Sequence, residues 1–313
     1  MISRADIERT ATRIGRHIRR TPVIDIDLPQ VSRPVALKLE LFQHTASFKA
    51  RGAFANLAGR QIPASGIAAA SGGNHGAAAA YAAREFGVPA RIFVPMLASP
   101  AKVARIRSYG AAIDQDGPTY YEALDKCMAY VAQSGALNVH AYDEEATLLG
   151  QGTVGLEIEE QLPGLDTLLV AVGGGGLIGG IAAWFHGKVK VVAVEPETCN
   201  ALHAAMAAGE PVRVTPSGIA ADSLGASLAG KLMFPIAREY VDSVALVSDA
   251  DIRAAQRHLW ESLRLVTEPG GAAAFAALLS GSYRPSDGER VGVLICGGNT
   301  EPETFAKVIA GEA

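Results

Sequence analysis

A run of four adjacent glycines, placed directly after an apolar strand, constrains this fold more than any other feature of the sequence. Residues 167–172 form the apolar run, Gly173 to Gly176 follow, and Gly179 and Gly180 come one turn later. Four adjacent glycines exceed what one turn requires. N–H groups at the start of a helix lack partners within it and attract anions. The segment therefore predicts a strand, a phosphate-binding loop and a helix.

Strand and helix patterns alternate along the rest of the chain. Strands are expected at residues 35–40, 66–70, 90–94, 137–140, 167–172, 190–194 and 291–296. Helices are expected, among others, at residues 102–109, 119–134, 251–264 and 271–279. An N-terminal helix is also expected, because Ser3 and Asp6 form a capping-box pattern. Such alternation with short connections predicts an α/β fold with parallel-rich sheets wrapped by helices.

Composition and charge narrow the class of partner. The chain has 313 residues, 49% of them hydrophobic and 19% charged, which suits a compact protein large enough for two lobes. The 28 basic and 32 acidic residues give a net charge of −4. No basic field is therefore expected to recruit nucleic acid or anionic lipid, and a small-molecule substrate is the expected partner.

Cysteine use and hydropathy indicate a cytoplasmic location. Cys127, Cys199 and Cys296 are odd in number, far apart and form no C-x-x-C motif. A disulfide framework or zinc site is therefore not expected, and a reducing compartment fits. No apolar run approaches the roughly 20 residues that span a bilayer, and the N-terminal segment does not resemble a secretory signal.

The glycine run alone leaves open which phosphate is bound. Gly174, Gly176 and Gly179 satisfy G-x-G-x-x-G, and Glu195 lies 19 residues beyond Gly176, at the end of the next strand. This pattern imitates a dinucleotide fingerprint, including its acidic residue for a ribose hydroxyl. A nicotinamide-dependent oxidoreductase is therefore one hypothesis for this segment, and the rest of the sequence has to decide.

Three further segments do not belong to a dinucleotide site. Lys49 stands between a strand and a helix, where desolvation lowers the pKa of an amine and makes it nucleophilic toward aldehydes. On its own segment, an ordinary solvated helix lysine flanked by Arg51 is the better interpretation. The loops 71–76 and 296–299 each follow a strand and carry an asparagine. Neither loop has a role in dinucleotide binding.

Together these segments resemble the fold-type II pyridoxal-phosphate enzymes, in particular the threonine/serine dehydratase and serine racemase group. The resemblance covers nearly the whole chain, in family order: S-F-K-x-R-G-A, S-x-G-N-H-G, G-Q-G-T, G-G-G-G-L, E-P, E-P-G-G-A and C-G-G-N. It implies a two-lobed fold like that of the tryptophan synthase β-subunit and a homodimer. The large cofactor-binding domain would comprise residues 1–52 and 144–313, and the small substrate-side domain residues 53–143.

The resemblance also implies a role for each motif. Lys49 would hold pyridoxal 5′-phosphate as an internal aldimine, with Phe48 packed on its ring. Asn74 would hydrogen-bond the phenolic oxygen of the cofactor, and Cys296 would face the pyridine nitrogen. The cofactor phosphate would lie in the glycine loop, formed by Gly173, Gly174, Gly175 and Gly176.

The same resemblance implies a reaction. Ser71, Gly72 and His75 would bind the carboxylate of an amino-acid substrate, and Lys49 would take its Cα proton as general base. Loss of a β-hydroxyl, followed by hydrolysis, would give a 2-oxo acid and ammonia. We therefore expect a lyase of the threonine or serine dehydratase type. The chain ends about where the catalytic unit of these enzymes ends, so we expect no isoleucine-binding regulatory domain and a catabolic role.

Departures from the family pattern refine this prediction. Serine racemases carry a proton-bearing serine where this chain has Gly72, and an asparagine where it has Tyr142. Both differences favour elimination, although a racemase or a β-replacement enzyme stays an alternative. Ser223 replaces a glycine close to the cofactor. Tyr142 and Ser223 are therefore candidate pocket residues for the substrate side chain.

A divalent-cation site is expected to be weak or absent. Racemase-like relatives bind the cation through a glutamate, a carbonyl four residues on and an aspartate two residues further. Glu195 and Cys199 fit the first two positions, but the third is Ala201. Hard cations prefer several anionic oxygens, so losing one carboxylate weakens the site.

Overall fold

The computed structural model describes residues 2–117 and 119–312. Its strands are β1 (Val23–Ile26), β2 (Val35–Leu39), β3 (Ile67–Ala70), β4 (Ala90–Val94), β5 (Ala112–Gln115), β6 (Leu137–Asn138), β7 (Thr167–Ala171), β8 (Lys190–Pro196), β9 (Val241–Val247) and β10 (Val291–Ile295). Its α-helices are α1 (Arg4–Ile14), α2 (Lys49–Leu57), α3 (Asn74–Phe86), α4 (Pro100–Ser108), α5 (Tyr120–Ser134), α6 (Glu145–Gln161), α7 (Gly176–Phe185), α8 (Ala201–Ala208), α9 (Ala221–Leu224), α10 (Phe234–Tyr240), α11 (Asp249–Leu263), α12 (Pro269–Ser280) and α13 (Pro302–Ala310).

Local sequence explains where several helices begin and end. The predicted capping box starts α1: the Ser3 hydroxyl accepts from the Asp6 amide, and the Asp6 carboxylate accepts from the Ser3 amide. Gly87 and Gly135 end α3 and α5 with φ of 66° and 69°. These left-handed conformations carry no penalty for glycine, so both helices stop without strain.

The larger sheet has six strands in the order β1-β2-β10-β7-β8-β9. All neighbouring pairs are parallel except β1 with β2, which is antiparallel. Strands β2, β7 and β10 are buried along their whole length, as expected for a sheet with helices on both faces. The main hydrophobic core of the molecule lies around this sheet.

The smaller sheet has four parallel strands in the order β5-β4-β3-β6. All four lie between residues 67 and 138, so the chain leaves the larger sheet after β2 and returns to it at β7. The prediction of two parallel-rich sheets wrapped by helices is confirmed. The domain boundaries placed at residues 53 and 143 stay a prediction.

The order of the strands determines where the polar loops meet. The glycine loop follows β7, Cys296 follows β10, and the loop 71–73 follows β3. In parallel sheets the carboxyl ends of the strands lie on the same edge, and ligands bind there. The fold therefore brings three loops that are far apart in sequence to the region between the two sheets.

The described residues contain no helix that is both long enough and apolar enough to cross a bilayer.

Candidate active site

Lys49 is the first residue of α2 and follows a tightly held loop. Thr45 and Ala46 have φ of 59° and 54°, which is unfavourable for residues with a β-carbon. The Gly298 amide donates to the Ala46 carbonyl at 3.0 Å, and the Phe48 amide donates to the Cys296 carbonyl at 3.1 Å. The loop after β10 therefore holds the backbone that presents Lys49.

The Lys49 amine has few polar partners for a buried group. Its Nζ donates to the Ala141 carbonyl at 3.0 Å and lies 5.1 Å from the centre of the Phe48 ring. Burial lowers the pKa of Lys49 to about 8, although the nearby Cys296 and Glu268 oppose that shift. An amine with this pKa has an appreciable neutral fraction near pH 7 and is a competent nucleophile toward an aldehyde.

The glycine loop forms a cradle that β-carbons would disrupt. Gly175 has φ of 87° and precedes α7, which begins at Gly176. A β-carbon on Gly174 would overlap the Tyr142 ring, and one on Gly175 would overlap the thioether of Met233. The amides at the start of α7 lack partners within the helix. The loop therefore offers a phosphate several N–H donors at close range.

Asn74 is held between two side chains. Its Nδ2 donates to Glu268 Oε1 at 2.7 Å, and its Oδ1 accepts from Asn299 Nδ2 at 2.6 Å. Burial raises the pKa of Glu268 to about 7, with Asn74 and the cations Lys102, Arg105 and Lys49 acting in the opposite sense. Glu268 was not predicted as a site residue. Glu268 stands in the E-P-G-G-A motif, where the sequence alone shows it only as the residue before a helix.

Cys296 is a buried, neutral thiol at the end of β10. Only 4% of the residue is exposed, and its Sγ donates to the Gly270 carbonyl at 3.3 Å. Burial raises the pKa of this thiol far above its ordinary value, and the nearby charge of Glu268 raises it further. A neutral thiol at this point is a weak hydrogen-bonding partner and does not supply a proton to a ring nitrogen.

These groups surround one cavity. Its lining includes the eight predicted cofactor-binding residues, the predicted pocket residue Tyr142 and, among residues that were not predicted, Glu268: Phe48, Lys49, Asn74, Tyr142, Gly173, Gly174, Gly175, Gly176, Cys296 and Glu268. Ser223 lines it as well, but its hydroxyl accepts from the Gly270 amide at 3.1 Å and lies 3.3 Å from the Ala220 carbonyl. That hydroxyl therefore joins α9 to the start of α12.

The predicted carboxylate-binding residues lie in the turn before α3 and in its first helical turn. The Ser71 hydroxyl accepts from the Gly73 amide at 3.1 Å, and a β-carbon on Gly72 would lie 2.6 Å from the Ala98 methyl group. His75 donates from Nε2 to the Val139 carbonyl at 2.8 Å, and burial lowers its pKa to about 3. His75 is therefore neutral, and the first amides of α3 are the better groups for a carboxylate. Carboxylate binding at this turn stays a prediction.

Glu195 does not present its carboxylate to a cation or to a ribose. Its Oε1 accepts from the Leu202 amide at 2.8 Å, and its Oε2 accepts from the His203 amide at 2.7 Å. Cys199 directs its thiol to the Ser217 carbonyl, and Ala201 has no side-chain oxygen. The described residues include no group of three side chains suited to a metal ion. This donor set does not fit a divalent cation.

Comparison with known proteins identifies the family. Residues 14–297 match the model of the family described as pyridoxal-phosphate dependent enzyme. The chain belongs to this family. A phenylserine dehydratase of Ralstonia pickettii is 39% identical to this pyridoxal-phosphate dependent enzyme over 304 residues, which cover 94% of this chain and 92% of that protein. An L-threonine ammonia-lyase of Geobacter sulfurreducens is 35% identical, covering 97% of this chain and 77% of that protein.

Solved structures agree with the family and the fold. Maize serine racemase is 31% identical to this pyridoxal-phosphate dependent enzyme, with a TM-score of 0.92, covering 99% of this chain and 97% of that chain. The fold-type II prediction is confirmed, and so is the pyridoxal-phosphate cofactor. The cavity fits that cofactor, because it combines a lysine of lowered pKa, a glycine cradle and an amide donor. The dinucleotide hypothesis for the glycine loop is therefore wrong.

Proposed function

We propose that this enzyme removes water and ammonia from a small β-hydroxy amino acid and releases a 2-oxo acid. One observation carries the proposal: among the described residues that line the cavity, Lys49 is the one amine, and Glu268, whose pKa is also near 7, is held by Asn74 at 2.7 Å. Elimination needs one base at the Cα proton, whereas racemisation needs a second proton-bearing group on the opposite face. The relatives that are named as a phenylserine dehydratase and a threonine ammonia-lyase support the same reaction type.

Each residue of the proposed site would have a separate role in the reaction. The cofactor, when bound, supplies an electron sink for the substrate Cα. Lys49 would hold the cofactor, and its Nζ would accept the Cα proton of the substrate. The first amides of α3 would hold the substrate carboxylate, and the glycine loop would hold the phosphate. Asn74 would donate a hydrogen bond to the phenolic oxygen, and the neutral thiol of Cys296 would face the ring nitrogen without supplying a proton.

Gly72 is the second support for elimination. It carries no proton, and a β-carbon at this position would point toward Ala98 and lie 2.6 Å from its methyl group. Real contacts of this kind do not occur below about 3 Å. A serine at position 72 would therefore have to displace the segment around Ala98. The turn accepts glycine without displacement of its neighbours, and this disfavours a racemase reaction in this chain.

The lining of the cavity favours an apolar β-substituent. Phe48, Tyr142 and Leu224 contribute apolar surface, whereas Glu268 contributes the one carboxylate among the described lining residues. A second carboxylate on the substrate would meet Glu268 and find no further cation. We therefore propose threonine, serine and phenylserine as the substrate class, ahead of 3-hydroxyaspartate.

A substrate panel tests the proposal. Purified holoenzyme is incubated with each hydroxy amino acid, and 2-oxo acid and ammonia are measured, with chiral chromatography for D-amino acids. We expect equal amounts of 2-oxo acid and ammonia, fastest with threonine or phenylserine, and none with Lys49→Ala. Formation of D-serine without 2-oxo acid would show a racemase instead. Consumption of O-acetylserine only in the presence of a thiol would show a β-replacement enzyme.

We further propose that the enzyme is a cytoplasmic homodimer, as the family resemblance implies. Light scattering coupled to size-exclusion chromatography measures the mass of the particle directly. A mass near twice the 32.5 kDa of one chain is expected. A monomeric holoenzyme with full turnover would contradict the dimer.

A further inference from the structure

Asn299 joins three segments that are distant in sequence. Its Nδ2 donates to the Thr45 carbonyl at 2.8 Å and to Asn74 Oδ1 at 2.6 Å. Its Oδ1 accepts from the guanidinium of Arg105. Both hydrogens of the amide and its oxygen therefore have a partner. The residue connects the loop before Lys49, the start of α3 and helix α4.

These partners determine which way the Asn299 amide faces. A guanidinium has only donors, so the group of Asn299 that meets Arg105 has to be the oxygen. A backbone carbonyl only accepts, so the group that meets Thr45 has to be the NH₂. The two ends of the Asn299 amide are therefore assigned by two independent neighbours, one on each side.

The orientation of Asn74 follows from that of Asn299. Because Asn299 turns its NH₂ toward Asn74, the Asn74 atom that accepts this hydrogen bond has to be its oxygen. The NH₂ of Asn74 then faces the Glu268 carboxylate, where one hydrogen is used at 2.7 Å. The second hydrogen of that NH₂ is left for the cavity, which Asn74 lines. Reversing the amide would place an oxygen against Glu268 and remove this donor.

We propose that Arg105 and Asn299 are positioning residues that fix Asn74 as a hydrogen-bond donor toward the phenolic oxygen of the cofactor. The inference rests on the role proposed above for Asn74, and it adds how that role is enforced. Arg105 acts through Asn299, and Asn299 acts through Asn74.

The position of Arg105 gives the network a second consequence. Arg105 lies on α4, which packs with the smaller sheet, whereas Asn299 follows β10 of the larger sheet. The donor orientation of Asn74 therefore depends on contact between the two lobes. Lys102, on the same helix, makes another contact across the lobes with Asp222. That contact does not involve Asn299 and provides a control for lobe contact alone.

The main test compares Arg105→Met with two matched variants. Arg107→Met removes an exposed cation from the same helix, and Asp222→Asn weakens the other contact across the lobes. The visible absorbance of each holoenzyme is recorded against pH, and the dissociation constant of pyridoxal phosphate is measured by equilibrium dialysis. We expect Arg105→Met to shift the pH midpoint of the band and to weaken cofactor binding about tenfold. Arg107→Met and Asp222→Asn should match the wild type in both.

Asn299→Asp gives the sharper result. Aspartate has no N–H to donate, so Asn74 would turn its NH₂ toward position 299 and lose the donor in the cavity. The shift of the band should exceed that of Arg105→Met. An unchanged band and dissociation constant in both Arg105→Met and Asn299→Asp would overturn the inference.

Asn74→Ala separates the role of Asn74 at the cofactor from the role of the residues that orient it. If Asn74→Ala shifts the band while Arg105→Met and Asn299→Asp do not, Asn74 contacts the cofactor but is not oriented by this network. If Asn74→Ala itself leaves the band unchanged, the proposed role of Asn74 fails and the inference fails with it. Turnover of the substrate panel by the Asn74→Ala protein would still report on the proposed reaction independently.

Discussion

Two buried charged regions lie only two residues apart in the chain and behave oppositely. The buried ion cluster consists of Lys38, Glu40, Arg51 and Glu157. Arg51 meets Glu40 through two hydrogen bonds of 2.8 and 2.7 Å and Glu157 through two of 2.8 and 2.9 Å. Lys38 donates to Glu157 at 2.7 Å. Every charge in this cluster has an opposite charge in contact with it.

In the cofactor cavity, by contrast, the described residues form no direct ion pair. Lys49 donates to a carbonyl, and Glu268 accepts from an amide. Burial raises the pKa of Glu157, but Arg51 and Lys38 outweigh it, and the pKa ends below its ordinary value. Burial raises the pKa of Glu268 to about 7 because no direct ion pair opposes it. A buried group with an ion-pair partner stays charged and contributes to the structure. A buried group whose partner is neutral can exchange a proton near pH 7.

The largest expected effect separates the two buried lysines. Lys49→Ala removes the proposed attachment point of the cofactor and the proposed base, so turnover should fall by about ten-thousandfold. The visible absorbance band of the bound cofactor should disappear as well. Lys38→Met removes a fully buried lysine that belongs to the ion cluster. Its protein should keep the band, and loss of the band in soluble, folded Lys38→Met would break the comparison.

Arg51→Ala tests the structural side of the comparison. It leaves Glu40 and Glu157 buried without their main partner, and breaking such a pair costs about 3–5 kcal/mol. Urea unfolding followed by circular dichroism measures the loss. Arg107→Ala, on an exposed face of α4, should change the free energy of unfolding by less than about 0.5 kcal/mol. Equal stability of the two variants would show that the cluster contributes nothing.

The pH dependence of stability should have opposite signs in the two regions. The pKa of Glu268 is raised, so its contribution is full below the ordinary pKa near 4.5 and is lost as pH rises through about 7. The pKa of Glu157 is lowered, so its contribution is present above pH 4.5 and is lost as pH falls. Glu268 is 5% exposed, and its shift corresponds to about 3 kcal/mol at most.

Glu268→Gln isolates the first of these contributions. The difference in free energy of unfolding between cofactor-free wild type and Glu268→Gln should change between pH 5 and pH 8, with the wild type losing more. Glu303→Gln, at an exposed carboxylate of α13, serves as the control for the substitution itself, and its difference should not change over this range. A flat difference for Glu268→Gln too would mean that this carboxylate is not perturbed.

Sequence patterns predicted the interior of both sheets better than their edges. The continuously apolar strands β2, β7 and β10 were predicted to within one residue, because full burial on both faces requires such a run. Strands β1, β5 and β9 were not predicted, and each lies at the edge of its sheet. An edge strand is paired on one side and partly exposed, so its sequence shows no continuous apolar run.

The site shows the same limit for a different reason. Lys49, the glycine loop and Cys296 stand in motifs whose order along the chain is informative. The contacts of Glu268 and Arg105 join residues 194 positions apart, and no local pattern reports such a pair. Orientation of side chains is likewise a tertiary property: Ser223 has a hydroxyl bound to backbone, and His75 is a buried neutral imidazole.

Glu195 extends the comparison to a fourth buried carboxylate, which the described residues pair with neither a cation nor a side-chain amide. Both of its oxygens accept amides at the start of α8, at 2.8 and 2.7 Å. A carboxylate used in this way stabilises a helix start by about 1–2 kcal/mol. Glu195→Ala should therefore lower the free energy of unfolding by that amount, with or without magnesium.

The smallest expected effect is that of a chelator. Because the oxygens of Glu195 are occupied and Ala201 offers none, EDTA should leave turnover and the thermal midpoint of wild type unchanged. Millimolar Mg²⁺ should not raise that midpoint, since a cation stabilises only if it binds the folded state. A Mg²⁺-dependent rise that is present in wild type and lost in Glu195→Ala would make Glu195 a ligand. The Glu195 carboxylate would then be paired with a cation, as the carboxylates of the buried ion cluster are. Another group would have to accept the first amides of α8.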